Sequence, residues 1–268
     1  RNVSKISYKK VLEILEKDEE NIEEGEELEK VEKIEFKDIN FSYDENQKVL
    51  DGISLEVCQN QKIALIGRTG SGKTTLVNLI CRFYDLENGQ ILINGEDYKK
   101  YSIRSLRDKI GYIMQKVVIF NGTILENINY ANKDISKEKI IEICKKLNLH
   151  DKIMQFENGY ETIITAETDL FSNGEKQMIN FARVMIENPE IIILDEATAS
   201  LSYKSEMLVR DAIDEITKNK ISFIIAHRLS TIKNCDKILL MQDGKIIEQG
   251  NHETLMQKQG QYYQLINA

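Results

Sequence analysis

Ile63-Ala-Leu-Ile-Gly67-Arg-Thr-Gly-Ser-Gly-Lys73-Thr74 is the stretch of sequence that decides the fold. Its leading apolar residues predict a short buried strand, and residues 75–83 have the apolar spacing of a helix. The loop between them has the form Gly-x4-Gly-Lys-Thr, which in this position indicates a phosphate-binding loop. Without these flanks, the string would also be compatible with an ordinary glycine-rich turn.

The residue types in this loop suit phosphate recognition at the start of a helix. Glycines let backbone N–H groups converge on phosphate oxygens, and the positive end of the helix dipole favours an anion. Lys73 places a point charge at the β- and γ-phosphates, and the hydroxyl of Thr74 can bind Mg²⁺. The predicted nucleotide-binding residues of this segment are Gly67, Arg68, Thr69, Gly70, Ser71, Gly72, Lys73, Thr74 and Thr75.

Two adjacent carboxylates follow a second apolar strand, in Ile191-Ile-Ile-Leu-Asp195-Glu196. In open α/β sheets, ligands bind beyond the carboxyl ends of the strands, which is where both acids stand. We predict that Asp195 holds the hydration shell of Mg²⁺ and that Glu196 orients and deprotonates the water that attacks the γ-phosphate. Taken alone, the pair is also compatible with an acidic turn between a strand and a loop.

A third candidate segment, Phe171-Ser172-Asn-Gly174-Glu-Lys-Gln177, stands just before a predicted helix over residues 178–186. Ser172 suits the N-cap position, and Gly174 permits a close backbone approach, so this helix terminus is a candidate for binding a second anion. On the residues alone, a capped surface helix is the commoner explanation.

Short apolar runs alternate with helical stretches along most of the chain, at residues 63–66, 110–114, 191–194, 222–226 and 237–241. This alternation predicts an α/β fold with a mostly parallel sheet and helices on both faces. Together with the phosphate-binding loop, it indicates a P-loop NTPase core. Residues 32–57 alternate apolar and polar side chains, as in an antiparallel β subdomain. Residues 123–186 show helical spacing with little strand character, which predicts an inserted α-helical subdomain.

The net charge of −8, from 44 acidic and 36 basic residues, is concentrated in one segment. Nine acids and a single base between Asp18 and Glu32 account for all of it, so the rest of the chain is neutral. A neutral body argues against nonspecific nucleic-acid binding, which needs a basic surface. Residues 1–17 have the spacing of a short amphipathic helix, and we expect the acidic segment after it to be a solvated connector that nucleotide binding does not need.

The cysteines and the apolar segments argue against several further classes. The four cysteines form no Cys-x-x-Cys pair, which disfavours a zinc site or a disulfide framework and favours a reducing compartment. The longest aliphatic runs are far shorter than the roughly 18 apolar residues of a membrane-spanning helix. Because the chain begins at Arg1 without a signal peptide, we interpret it as a part of a longer protein.

The order of five motifs resembles the nucleotide-binding domain of ATP-binding cassette (ABC) transporters. They are the phosphate-binding loop, Tyr-Ile-Met-Gln115, Phe-Ser172-Asn-Gly-Glu, Ile-Ile-Leu-Asp-Glu196-Ala-Thr-Ala-Ser and Ile-Ala-His227-Arg-Leu-Ser-Thr-Ile. The downstream Asp-Lys-Ile-Leu-Leu-Met resembles the exporter branch. The resemblance covers residues 32–268 and implies an ATPase that uses ATP and Mg²⁺ to power export, with its helical subdomain at about 123–187. It also implies that residues 1–31 are a linker helix and acidic connector from a transmembrane domain that this chain lacks.

The resemblance further implies roles for single residues. Tyr43 resembles the aromatic residue that stacks on adenine, although an inward-facing residue after Ile39 and Phe41 would give the same pattern. Gln115 resembles the residue that contacts Mg²⁺ and the attacking water and that faces the transmembrane domains. His227 resembles the histidine that contacts the γ-phosphate, whereas outside this motif a core histidine would be the default. Metal binding is thus predicted for Thr74, Gln115 and Asp195, and catalysis for Glu196, His227 and Gln115.

In this family two nucleotide-binding domains meet head to tail, and each ATP lies between one phosphate-binding loop and the signature helix of the other domain. The resemblance therefore implies that Ser172, Gly174 and Glu175 contact ATP held by a partner domain. The signature departs from the usual pattern at Asn173 and Glu175, and Ser202 stands where an aspartate is expected. Because Glu196 and His227 are intact, these departures favour a heterodimer over a homodimer. Through the transmembrane domain that it implies, the resemblance places the chain at the cytoplasmic face of the cell membrane.

Two alternatives stay open beside an exporter motor. One is an ABC ATPase that is not coupled to transport; a DNA-repair ATPase is disfavoured because Lys73 and Ser172 are only 99 residues apart, too few for its long coiled coil. The other is a module that binds ATP without hydrolysing it, which the intact Glu196 and His227 argue against. A guanine-specific GTPase is disfavoured because the sequence has no Asn-Lys-x-Asp.

Overall fold

The structure is a computed structural model that describes residues 20–44, 47–114, 116–131, 134–165, 170–195, 203–226 and 228–267. For residues 203–206 it describes the backbone alone. The predicted helix over residues 1–17 lies outside these ranges, and so do Gln115, Glu196, Ser202 and His227. Within these ranges, no helix has the length and apolar character needed to cross a membrane.

The described residues form strands and helices that alternate along the chain. The strands are β1 (Lys33–Ser42), β2 (Lys48–Cys58), β3 (Lys62–Ile66), β4 (Asn88–Ile93), β5 (Glu96–Asp97), β6 (Ile110–Ile113), β7 (Gly122–Thr123), β8 (Ile163–Ile164), β9 (Ile191–Asp195), β10 (Ile221–Ile225), β11 (Lys237–Gln242) and β12 (Lys245–Gly250). The helices are α1 (Lys73–Ile80), α2 (Ile103–Asp108), α3 (Ile124–Ile128), α4 (Lys137–Lys146), α5 (His150–Ile153), α6 (Asn173–Glu187), α7 (Tyr203–Ile216), α8 (Leu229–Lys233), α9 (His252–Lys258) and α10 (Gln261–Asn267).

A six-stranded sheet forms the centre of the fold, in the order β12-β11-β3-β10-β9-β6. Its neighbouring strands pair in parallel, except β11 and β12, which pair antiparallel. Each of the parallel strands begins and ends within one residue of an apolar run that predicted it. The prediction of an α/β fold with a mostly parallel sheet is therefore confirmed.

Both faces of this sheet are buried, which explains why its strands are apolar throughout rather than alternating. In β9, Ile191 and Ile193 face a core shared with α1, α2 and strands from the N-terminal part of the chain. Ile192 and Leu194 face a second core, to which α6 to α10 contribute. Since a strand points successive side chains to opposite faces, only a run of consecutive apolar residues fills both cores.

A four-stranded antiparallel sheet, in the order β2-β1-β4-β5, covers one face of the central sheet. Phe36 of β1 is buried, and its ring meets that of Phe223 in β10 edge-on, with the ring centroids 6.2 Å apart. The antiparallel β subdomain predicted for residues 32–57 is confirmed. The strands β4 and β5, which the apolar pattern did not indicate, extend it.

Helices dominate the stretch between β6 and β9, as predicted for the inserted subdomain. Ile124 of α3, Ile143 of α4 and Phe181 of α6 belong to one core. The stretch also contains one short antiparallel pair of strands, β7 and β8. The last helix of this stretch, α6, ends at Glu187, and its C-cap residue Asn188 has the left-handed φ of 49°. The division of the chain into domains at residues 31, 123 and 187 stays a prediction.

The acidic segment lies against the body of the protein along residues 20–31, which we call the acidic strap. The Glu26 N–H donates to Lys100 O and the Ser102 N–H donates to Glu26 O, both at 2.9 Å. Leu28 and Val31 are buried, with exposures of 2% and 1%. The expectation of a solvated connector is therefore wrong for the backbone and for these two side chains. It rested on the acidic composition of the whole segment, which gave no weight to its two buried apolar residues.

The carboxylates of the acidic strap remain exposed, as expected, and several pair with bases near α2. The ion pairs are Glu20–Arg107 at 2.7 Å, Glu23–Arg104 at 2.5 Å and Glu26–Lys100 at 3.2 Å. Exposed ion pairs contribute little individually, so burial of Leu28 and Val31 is the stronger reason for the docking.

Candidate nucleotide-binding site

The glycine-rich loop follows β3 directly, and its backbone geometry requires glycine at two positions. Gly67 has φ +144°, and a Cβ there would lie 2.1 Å from Met241 O. Gly72 has φ +99°, and its Cβ would lie 2.7 Å from Leu50 Cδ2. At Gly70, by contrast, φ is +81° and a Cβ would meet no atom within 4 Å among the described residues, so this part of the loop borders open space. The loop is therefore packed at its ends and open in its middle.

Lys73 is the first residue of α1, and its ammonium group lies inside the loop. Nζ donates to Gly67 O and to Arg68 O, both at 2.9 Å, and the residue is only 6% exposed. Because the N-cap residue is Gly72, no side chain caps this end of α1. A positive charge and the N-terminus of a helix thus converge on the open side of the loop, as an anion site requires.

A cavity of about 310 Å³ lies between this loop and Tyr43. The described residues that line it are Tyr43, Gln47, Val49, Thr69, Gly70, Gly72, Lys73, Thr74, Thr75 and Ile225. A larger cavity of about 800 Å³ lies on the other side of Thr69 and Gly70 and is lined by Gln261, Gln264 and Leu265 of α10. The smaller cavity is the better nucleotide site because Lys73, Thr74 and an aromatic ring all line it.

Tyr43 stands at the end of β1 and is half exposed. Its hydroxyl is hydrogen-bonded to the Thr75 hydroxyl, with the oxygens 2.9 Å apart. An exposure of 50% contradicts the alternative that Tyr43 is an inward-facing core residue. The ring is available at the cavity as the adenine-stacking prediction requires, and the stacking itself stays a prediction.

Asp195 ends β9 and is brought to the same edge of the sheet as the loop. Ile225 of β10 pairs with Leu65 of β3 on one side and with Asp195 on the other. Two strand spacings, about 10 Å, therefore separate Asp195 from the strand that leads into the loop. The predicted Glu196 and His227 follow these same strand ends in sequence but lie outside the described residues.

Tyr112 of β6 contacts Asp195 and was missed by the sequence reasoning. Its hydroxyl donates to Asp195 Oδ2 at 3.3 Å. Burial, reinforced by the charge of Asp195, raises the pKa of Tyr112, so the hydroxyl stays protonated and remains a donor. The only signal in the sequence was position, since Tyr112 stands three residues before Gln115 on the strand that pairs with β9.

The donor set at this edge fits Mg²⁺ bound together with a nucleotide. Among the described residues, no three acidic, histidine or cysteine side chains cluster as a metal site of their own. Mg²⁺ is usually held by one or two carboxylates, water and substrate phosphates, for which Asp195 and the exposed Thr74 suffice. Thr74 and Asp195 therefore remain the described candidates for its ligands.

Ser172 is the N-cap of α6, as predicted, and Glu175 completes a capping box with it. The Ser172 N–H donates to Glu175 Oε2 at 2.7 Å, and the Glu175 N–H donates to Ser172 Oγ at 3.3 Å. The carboxylate of Glu175 is thus occupied in capping its own helix. Ser172 and Asn173 are exposed, and of the described residues lining either cavity beside the loop, none belongs to this helix terminus.

Comparison with known proteins gives a consistent result. A family model described as ABC transporter matches residues 50–199. The chain is 44% identical to the putative multidrug export ATP-binding/permease protein YgaD of Bacillus subtilis, over 86% of this chain and 40% of that protein. It is also 44% identical to the ATP-dependent lipid A-core flippase of Syntrophus aciditrophicus, over 86% of this chain and 38% of that protein.

Among solved structures, a bacterial Atm1-family ABC exporter with ATP bound superposes with a TM-score of 0.86 at 31% sequence identity. The match covers 98% of this chain and 46% of the exporter chain. The chain spans about two fifths of the length of the two curated relatives, one named for multidrug export and ATP binding and the other for ATP-dependent flipping. The chain belongs to the ABC transporter family, and it corresponds to the ATP-binding part of its exporter branch.

Proposed function

We propose that this chain is the ATP-hydrolysing domain of an exporter and that ATP binds in the cavity between Tyr43 and the phosphate-binding loop. The observation that carries the proposal is the position of Lys73, whose ammonium lies within a loop open at Gly70 and on the sheet edge of Asp195. Phosphate oxygens in this loop would draw the Lys73 ammonium away from the two loop carbonyls, which water and neighbouring groups then satisfy.

The chain's own residues divide the work in this proposal. The loop and Lys73 hold the phosphates, Tyr43 holds adenine, and Tyr112 keeps one oxygen of Asp195 oriented. Thr74 and Asp195 would hold Mg²⁺, which would supply positive charge to offset that of the phosphates. Glu196 takes the proton of the attacking water, Gln115 places that water, and His227 contacts the γ-phosphate.

The proposal includes a second nucleotide-binding domain that approaches head to tail. We assign Ser172 and Gly174 to the ATP of that partner. The exposure of Ser172 and Asn173 supports this for Ser172, whereas Gly174 is buried. The capping box weakens one argument for a heterodimer, because it holds the extra negative charge of Glu175 at its own helix. The exposed Asn173 and the change at Ser202 still favour a heterodimer.

ATP turnover of the isolated chain at rising protein concentration tests the heterodimer. A heterodimer predicts weak turnover that stays proportional to concentration. Robust activity that rises with the square of the protein concentration would establish a homodimer instead.

The proposal also includes a transmembrane domain as partner, which places the chain at the cytoplasmic face of the membrane. YgaD is named an ATP-binding/permease protein, so the corresponding part of its chain accompanies a permease. On either side of position 115 in the sequence, the described residues include exposed apolar side chains suited to a contact with another domain; they are Met114, Val118, Phe120 and Tyr130.

Glu196→Gln tests the assignment of the catalytic base. The variant is expected to bind ATP like the native chain and to lose hydrolysis by about 10²- to 10⁴-fold, the usual effect of removing a general base. Lys73→Ala is the control, because it is expected to lose ATP binding as well. Turnover above a few percent in Glu196→Gln, measured by phosphate release, would show that another group is the base.

A further inference from the structure

We propose that Tyr84 is a positioning residue for Tyr43, which it holds at the mouth of the nucleotide cavity. The inference rests on the proposed function, since it assigns Tyr84 an effect on the adenine end of ATP. It predicts that Tyr84 acts on affinity for the base and leaves affinity for the phosphates unchanged.

Three aromatic rings form a closed cluster beside the cavity. The centroids of Tyr43 and Tyr84 are 4.9 Å apart, those of Phe41 and Tyr43 are 5.1 Å apart, and those of Phe41 and Tyr84 are 5.8 Å apart. The planes of Tyr43 and Tyr84 meet at 76°, and those of Phe41 and Tyr43 at 89°. Edge-to-face contacts of this kind are favourable and restrict the orientation of a ring.

The position of Tyr84 is not explained by burial in the protein core. It is 43% exposed, and it belongs to the segment that follows α1, four residues after that helix ends. Its contact with Tyr43 therefore joins the end of β1 to the segment that follows the phosphate-loop helix. A half-exposed ring in contact with a second half-exposed ring at a cavity mouth suits positioning better than it suits burial.

A second anchor fixes the other end of Tyr43. Its hydroxyl is bonded to Thr75, the third residue of α1, at 2.9 Å. Tyr84 and Phe41 hold the ring while Thr75 holds the hydroxyl, so the position of Tyr43 is set relative to the loop from two directions. Phe41 also packs against the core, which makes Tyr84 the cleaner residue to change.

Direct binding of two ligands separates the base from the phosphates. MgATP and magnesium tripolyphosphate would each be titrated calorimetrically into the native chain and into Tyr84→Leu, Tyr84→Phe and Tyr43→Leu. Tyr84→Leu is expected to weaken ATP binding about 2- to 12-fold, the value of one aromatic contact, with tripolyphosphate binding unchanged. Tyr84→Phe keeps the ring and is expected to bind both ligands like the native chain.

Tyr263→Leu is the matched control, since Tyr263 is an exposed tyrosine on α10 that is absent from the described lining of both cavities. Thermal unfolding of each variant shows whether the fold is retained. Equal weakening of ATP and tripolyphosphate in Tyr84→Leu would overturn the inference, as would unchanged ATP binding. If Tyr43→Leu alone weakens ATP binding, the inference fails and the adenine site stands; if neither variant does, the role of Tyr43 in the proposed function fails with it.

Discussion

Replacing Arg107 by alanine is expected to destabilise the fold by about 2–4 kcal/mol, because one guanidinium holds three segments together. It donates to both carboxylate oxygens of Glu20 at 2.7 and 2.8 Å. It also donates to Cys81 O at 3.0 Å and to Arg82 O at 2.9 Å, just past the end of α1. The guanidinium carbon lies 5.1 Å from the centroid of the Phe83 ring.

The size of the effect comes mostly from the carbonyl groups. Each of the two carbonyl bonds is worth about 0.5–1.5 kcal/mol, and the contact with Phe83 adds about 0.5–1 kcal/mol. The pair with Glu20 is half exposed and adds less than about 1 kcal/mol after screening by solvent. Glu20→Gln should therefore cost much less than Arg107→Ala, although both remove the same ion pair.

The contribution of Glu20 should also depend on pH with a definite sign. Its hydrogen bond to Arg107 lowers the pKa of Glu20 from its ordinary value of about 4.5. A carboxyl group whose pKa is lowered by folding stabilises the folded state above its unfolded pKa and loses that effect as pH falls through the folded pKa. The stability difference between the native chain and Glu20→Gln should thus be present at neutral pH and vanish in the acid range below about 4.5.

Urea denaturation of the native chain, Arg107→Ala, Arg107→Lys and Glu20→Gln measures the differences in the free energy of unfolding. The comparison requires that the dependence of this free energy on urea concentration has the same slope in all four proteins. Lysine keeps the charge but lacks the planar fork, so Arg107→Lys is expected to retain the Glu20 pair and to lose one or both carbonyl bonds. A loss below about 0.5 kcal/mol in Arg107→Ala would refute the role of the carbonyl bonds. So would equal losses in Arg107→Ala and Glu20→Gln.

Three further predictions follow from the site and the acidic strap. Deletion of residues 18–25 is expected to leave ATP affinity within twofold in a binding titration, because no described residue of this segment lines either cavity; an abolished affinity would contradict this. Tyr112→Phe removes the donor to Asp195 and is expected to raise the Mg²⁺ concentration for half-maximal hydrolysis about 2- to 12-fold, with ATP binding in the absence of metal as the unchanged control. Gly72→Ala puts a Cβ against Leu50 at a left-handed φ and is expected to lower the free energy of unfolding, measured in urea, by more than about 1 kcal/mol. Gly95→Ala is the control: its Cβ would meet no atom among the described residues, so only the strain of its left-handed φ remains and the loss should be smaller.

The architecture could be predicted because local patterns and global structure agree in this chain. The parallel strands are buried on both faces, so each appears as an uninterrupted apolar run such as Ile191–Leu194. The strands β4 and β5 could not be predicted in the same way. β4 opens with the exposed Asn88, Gly89 and Gln90, and β5 has only two residues, so neither gives a periodic signal.

The candidate site was predictable where a motif fixes the backbone and unpredictable where partners come from distant segments. Gly67 and Lys73 are dictated by the loop itself, and Ser172 by the start of its helix. Tyr112 and Tyr84 gain their meaning only from side chains, Asp195 and Tyr43, that the fold brings to them from 83 and 41 positions away in the sequence. The prediction that the acidic strap is solvated was wrong for a related reason. It rested on the summed charge of the segment, whereas docking depends on two single residues, Leu28 and Val31.

The two ends of the phosphate-loop helix differ in their chemistry. At its start, Gly72 leaves N–H groups without a capping side chain beside the ammonium of Lys73, which favours an anion. Past its end, the carbonyls of Cys81 and Arg82 accept hydrogen bonds from the guanidinium of Arg107. This places a cation at the negative end of the helix dipole. Since Arg107 also binds Glu20, the acidic strap is linked through Arg107 to the segment just past the end of this eight-residue helix, and the phosphate site lies at the start of the helix.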